Sequence, residues 1–87
     1  MPKVQVYSKQ QCPYCVRAKA LLTKKGIPFE EIDVEQDEAK RAWLVETSGQ
    51  RTVPQIFVDG RPLGGFSDIE TLDRQGKLDP ILRGEAA

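Results

Sequence analysis

Three observations predict an α/β fold. Strand-like and helix-like stretches alternate along the chain in the order β-α-β-α-β-β-α. The first strand hands over to the first helix at Gln11-Cys12-Pro13-Tyr14-Cys15, the stretch that holds both cysteines. Asp59-Gly60, set between two strand-like runs, is a strong hairpin signal, so the last two strands return on each other antiparallel. The 87 residues suit one small domain, 1–87.

Composition narrows the chemistry. Thirteen basic and thirteen acidic residues cancel, which argues against a general role on nucleic acid or a membrane surface. No apolar run is long enough to span a bilayer. Met1-Pro2-Lys3-Val4 leads straight into a strand without a signal-peptide pattern, so a cytoplasmic location is the default expectation. With no histidine and only two cysteines, a closed intramolecular zinc site is excluded and the commonest general base is missing. The two cysteines allow one intrachain bridge, and a Cys-X-X-Cys loop is too short to act as a strong structural staple. Chemistry therefore falls to sulfur, tuned by the backbone and by nearby charge.

Taken in order, residues 3–8 alternate and carry two valines and a tyrosine, which reads as a strand. The cysteines follow at the head of a helix over 13–25. Unpaired N–H groups and the positive end of the helix dipole meet there, and both stabilise a thiolate. Cysteines in Cys-X-X-Cys motifs ionise in a range of roughly 3.5 to 7.5, against about 8.5 for a free thiol. Pro13 suits the first helical position, where its missing N–H costs nothing. Cys15 lies one turn further in and can close a disulfide with Cys12, so the stretch reads as a reversible dithiol with Cys12 attacking and Cys15 resolving. Two roles are open to Lys9, three residues before Cys12: a solvated surface charge, or a cation favouring a thiolate or a bound carboxylate. Tyr14, at the exposed helix start, can flank a bound ligand. Cys15, Ala18, Leu21 and Leu22 form the apolar stripe, and Lys24, Lys25 and Gly26 mark the helix end.

Residues 29–34 alternate as a second strand, and strand-helix-strand order calls for a right-handed crossover and a parallel pair. A second helix runs from 37 or 38 to 47, ended by Ser48-Gly49, with Leu44 and Val45 facing the core. Arg41 shares the edge of that face, where it either snorkels to solvent or binds a ligand. Trp43 falls off the stripe and is expected to be partly exposed. Pro54 holds Val53 extended, and the sequence leaves the isomer of their bond open. Strands over 55–58 and 61–64 follow. Gly64-Gly65 permits close backbone approach or positive φ. Ser67-Asp68-Ile69-Glu70 has the spacing of a capping box, so a third helix is predicted over 67–75; its N-terminus is also an anion site. Asp79-Pro80 reads as the cap and first residue of a short last helix through Leu82, and the tail 84–87 is expected to fray.

Cys12-Pro13-Tyr14-Cys15, Thr52-Val53-Pro54 and Gly64-Gly65-Phe66-Ser67-Asp68, in this order and spacing, resemble the glutaredoxins, most nearly the small bacterial dithiol type. The resemblance covers nearly the whole chain. It implies the thioredoxin fold, a four-stranded mixed sheet flanked by helices, with Pro54 cis and facing the dithiol. It also implies a glutathione-dependent oxidoreductase that reduces protein disulfides and protein–glutathione mixed disulfides. By this resemblance Val53 pairs through its backbone with the cysteinyl part of glutathione, between Thr52 and Pro54. Ser67 and Asp68, with the N–H groups at the start of the third helix, hold the γ-glutamyl end, and Gly65 is a further glutathione-binding residue. Lys9 and Arg41 hold the glycyl carboxylate, with Arg51 a further cation unranked against Arg41. Tyr14 lines the groove, and Phe66 is either core or padding at its rim.

Two other functions compete. One is a thiol reductase fed by a flavoenzyme; Lys9 and the segment 64–68 favour glutathione instead. The other is a carrier in which Cys12 of two chains and two glutathiones hold a [2Fe–2S] cluster; the stiffening by Pro13 and the competition of Cys15 for Cys12 weigh against it, and no metal is expected. A monomer is expected. Ribonucleotide reductase, peroxide-linked enzymes and glutathionylated proteins in general are all compatible targets.

Overall fold

Alternation along β1 (Val4–Ser8) builds two core layers at once, because successive side chains of a strand point to opposite faces. In the computed structural model, which describes residues 2–50 and 52–84, Val4 and Val6 join one apolar cluster and Tyr7 the other. The first cluster is completed by Ala18 and Leu22 of α1 (Pro13–Lys24), Ile69 of α3 (Phe66–Arg74), and Leu78 and Leu82 of α4 (Leu78–Leu82). The second gathers Tyr7, Val34, Phe57 and Leu44, the last from α2 (Glu38–Ser48). The sheet is thus sandwiched between α1, α3 and α4 on one face and α2 on the other.

The sheet has the strand order β2-β1-β3-β4, with β2 at Glu30–Asp33, β3 at Gln55–Val58 and β4 at Arg61–Gly64. β1 and β2 are parallel, as the crossover requires; β1–β3 and β3–β4 are antiparallel. This is the thioredoxin fold. All four residues of β3 are buried, whereas the two edge strands carry charge (Glu30, Glu31, Asp33) or a proline (Pro62), features that discourage strand addition. Trp43 is 44% exposed, yet one face of its indole stacks on Phe57 with ring centroids 5.6 Å apart.

Two helix starts differ from the sequence expectation. α3 begins at Phe66 with Gly65 as its N-cap, not at Ser67. Instead of the capping box read at Ser67 and Glu70, only the reverse half of one forms, two residues earlier, where the Gly65 N–H donates to the Asp68 carboxylate over 2.9 Å. α4 begins at Leu78, with Lys77 rather than Asp79 at its cap. Burying Leu78 completely brings the helix start forward, and Pro80 is tolerated in the first turn, where no intrahelical partner for its nitrogen is required. Asp79 instead pairs with Lys25. The Lys25 ammonium bridges Asp73 (2.6 Å) and Asp79 (2.7 Å), tying the end of α1 to α3 and α4. The hydrogen bonds that the Lys25 ammonium donates to these two carboxylates, Asp73 first, raise its pKa above the ordinary lysine value. The predicted fraying of the tail concerns residues of which 85–87 lie outside those described.

Candidate active site

Gln11 takes a left-handed backbone (φ 56°) and turns the chain so that Cys12 enters extended as the N-cap of α1. The Cys12 side chain then lies against the helix start, where the Cys15 N–H donates to its sulfur over 3.2 Å. Pro13 occupies the first turn, so the donors presented there belong to the residues after it. Cys12 Sγ also sits 3.8 Å from the Val53 carbonyl oxygen, which brings a loop 41 residues away onto the dithiol. The Val53–Pro54 bond is cis. Both cysteines are free thiols.

The two sulfurs differ in environment. Cys12 is buried, at 7% exposure, but Cys15 is more so, at 1%. Burial, reinforced by the hydrogen bond to Cys12, pushes its thiol up to about 11. At pH 7 Cys15 is then overwhelmingly the neutral thiol, and it ionises only in strong alkali. Because the thiolate is the reactive form, limiting iodoacetamide at pH 7 is expected to label Cys12 and spare Cys15, with Cys15 labelling growing only in strong alkali. Equal labelling of the two at pH 7, read by peptide mass spectrometry, would contradict this environment.

Two contiguous cavities flank Val53. One, of about 900 Å³, is lined by Lys9, Arg41, Thr52 and Val53 together with Glu35, Ala42 and apolar residues of α2. The other, of about 480 Å³, is lined by Tyr14, Gln50, Thr52, Val53, Pro54 and the run Gly65, Phe66, Ser67 and Asp68. Every predicted site residue other than the two cysteines thus borders one cavity or the other, and Thr52 and Val53 border both. Among the described residues neither Lys9 nor Arg41 takes part in a salt bridge, and neither does Asp68. One cavity therefore presents two uncommitted cations, with the Glu35 carboxylate also in its wall, and the other presents the Asp68 carboxylate. Arg51 lies outside the described residues. Phe66 does both things open to it: half-buried, it packs against the first core cluster, and its ring lies 6.2 Å from that of Tyr14 at the rim.

Several contributors were not among the predicted site residues. Gln50 reaches the second cavity from the loop after α2. Gly64 (φ 110°) leaves the room that the Asp68 carboxylate fills, since a Cβ there would lie 2.3 Å from Asp68 Oδ2. Lys19 is held by Glu31 at 2.7 Å, with Ser8 donating to the same carboxylate, and all three border a depression that also reaches Cys12 and Cys15. The Lys19 ammonium is the main cause holding the Glu31 carboxyl below its usual range. Helical spacing from Cys15 to Lys19 was the only available sequence signal for this neighbour.

No helix among the described residues is long and apolar enough to cross a membrane, and no cluster of three or more His, Cys, Asp or Glu side chains among them could hold a metal ion. The glutaredoxin family model matches residues 4–63. Glutaredoxin 3 of Escherichia coli strain K12 is 48% identical over 83 residues, covering 95% of this chain and all of that one. Among solved structures, the glutaredoxin of Brucella melitensis is 44% identical with a TM-score of 0.88, covering all of this chain and 95% of that one. A buckwheat glutaredoxin–glutathione complex is 36% identical with a TM-score of 0.89, covering 99% of this chain and 83% of that one. The dithiol at a helix start and the fold agree with the family model and with these relatives, matched over nearly the whole chain: the chain belongs to the glutaredoxin family, whose members are glutathione-dependent disulfide oxidoreductases.

Proposed function

We propose that Cys12 is the nucleophile of a glutathione-dependent cycle acting on protein–glutathione mixed disulfides and on protein disulfides. The reading is supported above all by the placement of Cys12 Sγ against the carbonyl of Val53, the residue that borders both cavities. Glutathione carries two carboxylates and one ammonium. Its glycyl carboxylate suits Lys9 and Arg41. Its cysteinyl amide suits the Val53 backbone, as an added strand. Its γ-glutamyl ammonium suits the Asp68 oxygen not committed to Gly65, and the accompanying carboxylate suits the N–H groups at the start of α3, beside Ser67. Thr52, Pro54, Gly65, Phe66 and Tyr14 shape the walls between these points.

In the monothiol branch, Cys12 thiolate attacks the glutathionyl sulfur of a mixed disulfide. The protein thiolate leaves and takes up a proton, and Cys12 is left glutathionylated. A second glutathione, as thiolate, attacks the glutathionyl sulfur, giving oxidised glutathione and restoring Cys12 thiolate. In the dithiol branch, Cys12 attacks a protein disulfide and Cys15 then loses its proton and attacks the Cys12 sulfur, releasing the reduced protein. The Cys12–Cys15 bridge is reduced by two glutathiones in turn. Protein targets in a cytoplasmic setting, ribonucleotide reductase among the candidates, fit this branch. Glutaredoxin potentials of about −200 to −230 mV lie within reach of a cytosolic glutathione pool.

A comparison of electron donors tests the reading. With a small glutathione mixed disulfide as substrate, glutathione plus glutathione reductase is expected to sustain turnover and thioredoxin reductase is not. Turnover supported by thioredoxin reductase alone would favour a thioredoxin-like reductase instead.

A further inference from the structure

β3 buries an amide where an apolar residue would pack more cheaply. Gln55, its first residue, is fully buried opposite Tyr7 and shares the face of Phe57, under α2. A buried carboxamide is costly unless bonded, so its partners are informative. The Gln55 Nε2 donates to the Thr52 carbonyl (2.9 Å) and the Gln50 Oε1 (2.9 Å), with the Thr52 hydroxyl at 3.4 Å. Both partners line the groove from the irregular segment between α2 and β3, and Val53 lies between Thr52 and the strand. Peptide groups in such a segment have no ladder to satisfy them, so a side chain must do so.

We propose that Gln55 is a positioning residue for glutathione: from beneath, it fixes Gln50 and Thr52, and through them the backbone of Val53 that the ligand pairs with. This rests on the glutathione reading given above. Gln55 touches neither sulfur, so its influence falls on binding and leaves the sulfur exchange alone. The variant Gln55→Met keeps the length and apolar bulk of the side chain and removes the Nε2 donor together with an Oε1 that is buried and has no partner among the described residues. It is expected to raise KM for a glutathione mixed disulfide roughly 3- to 10-fold, the worth of a hydrogen bond or two, with kcat within about twofold of wild type. An unchanged KM in a folded Gln55→Met protein, with any loss confined to thermal stability, would overturn the proposal. A measurement on the wild type stands should that variant fail to fold. Titration with the non-reacting analogue S-methylglutathione, followed by NMR, is expected to shift the Gln55 side-chain amide resonances together with the Val53 and Asp68 backbone signals. Shifts at Val53 and Asp68 with the Gln55 amide unmoved would overturn the positioning role alone. No shift at any of them would overturn the glutathione reading and this inference with it.

Discussion

Cys12→Ser is expected to reduce every disulfide-exchange activity to the uncatalysed background, while Cys15→Ser keeps glutathione-dependent deglutathionylation and loses turnover of protein disulfides. A serine hydroxyl at the head of α1 still accepts the Cys15 N–H, but it does not form a disulfide, so no step of either branch can begin. Cys15 has a different position in the chemistry. It is buried and held as a thiol, with ionisation pushed up to about 11, so it attacks only when a mixed disulfide at Cys12 places a sulfur electrophile one helical turn away. The monothiol branch never calls on it. A glutathione-coupled assay on a small mixed disulfide, run beside one on a protein disulfide, separates the two roles. A Cys15→Ser protein inactive in the first assay would contradict this division.

Gly64→Ala is expected to lower kcat/KM for glutathione substrates by roughly 10- to 100-fold, the cost of losing a charge-assisted contact of about 1.5–3 kcal/mol. The new Cβ would fall 2.3 Å from Asp68 Oδ2 and 2.9 Å from its Cβ, so the carboxylate must swing out of its place. That breaks the bond from the Gly65 N–H and removes the anion facing the ligand ammonium. A positive φ of 110° at the same residue adds backbone strain. Because Gly64 does not line the depression that reaches Cys12 and Cys15, the iodoacetamide reactivity of Cys12 should be that of wild type. A kcat/KM within twofold of wild type would show that the Asp68 carboxylate does not hold the ligand.

Much of this was legible in the residues, and what was missed has physical causes. The strand at 55–58 and the hairpin after it were marked by Pro54 and Asp59-Gly60, whose backbone preferences are local. The dithiol was legible because Cys-Pro-X-Cys at a strand end specifies its own geometry. The start of α3 was misplaced because Ser67 and Glu70 spell a full capping box, whereas Gly65 has no side chain to cap with and gives only the reverse half through Asp68, so only the course of β4 into the helix decides for it. Asp79 reads locally as a cap, and its ion pair with Lys25 depends on how α1 and α4 pack, which no local pattern records. Gln55 gave no sign of its burial or of its bonds to Gln50 and Thr52. A glutamine opening a strand looks like a solvated edge residue until the segment it braces folds over it.

The most direct test of the central claim is the structure of Cys15→Ser after reaction with oxidised glutathione, solved with the glutathionyl group trapped on sulfur. The account predicts a disulfide to Cys12, the cysteinyl backbone paired with Val53, and the two ends of the tripeptide at Lys9 and Arg41 and at Asp68. A glutathionyl group on Cys12 that extends into solvent, with the groove beside Val53 unused, would contradict it.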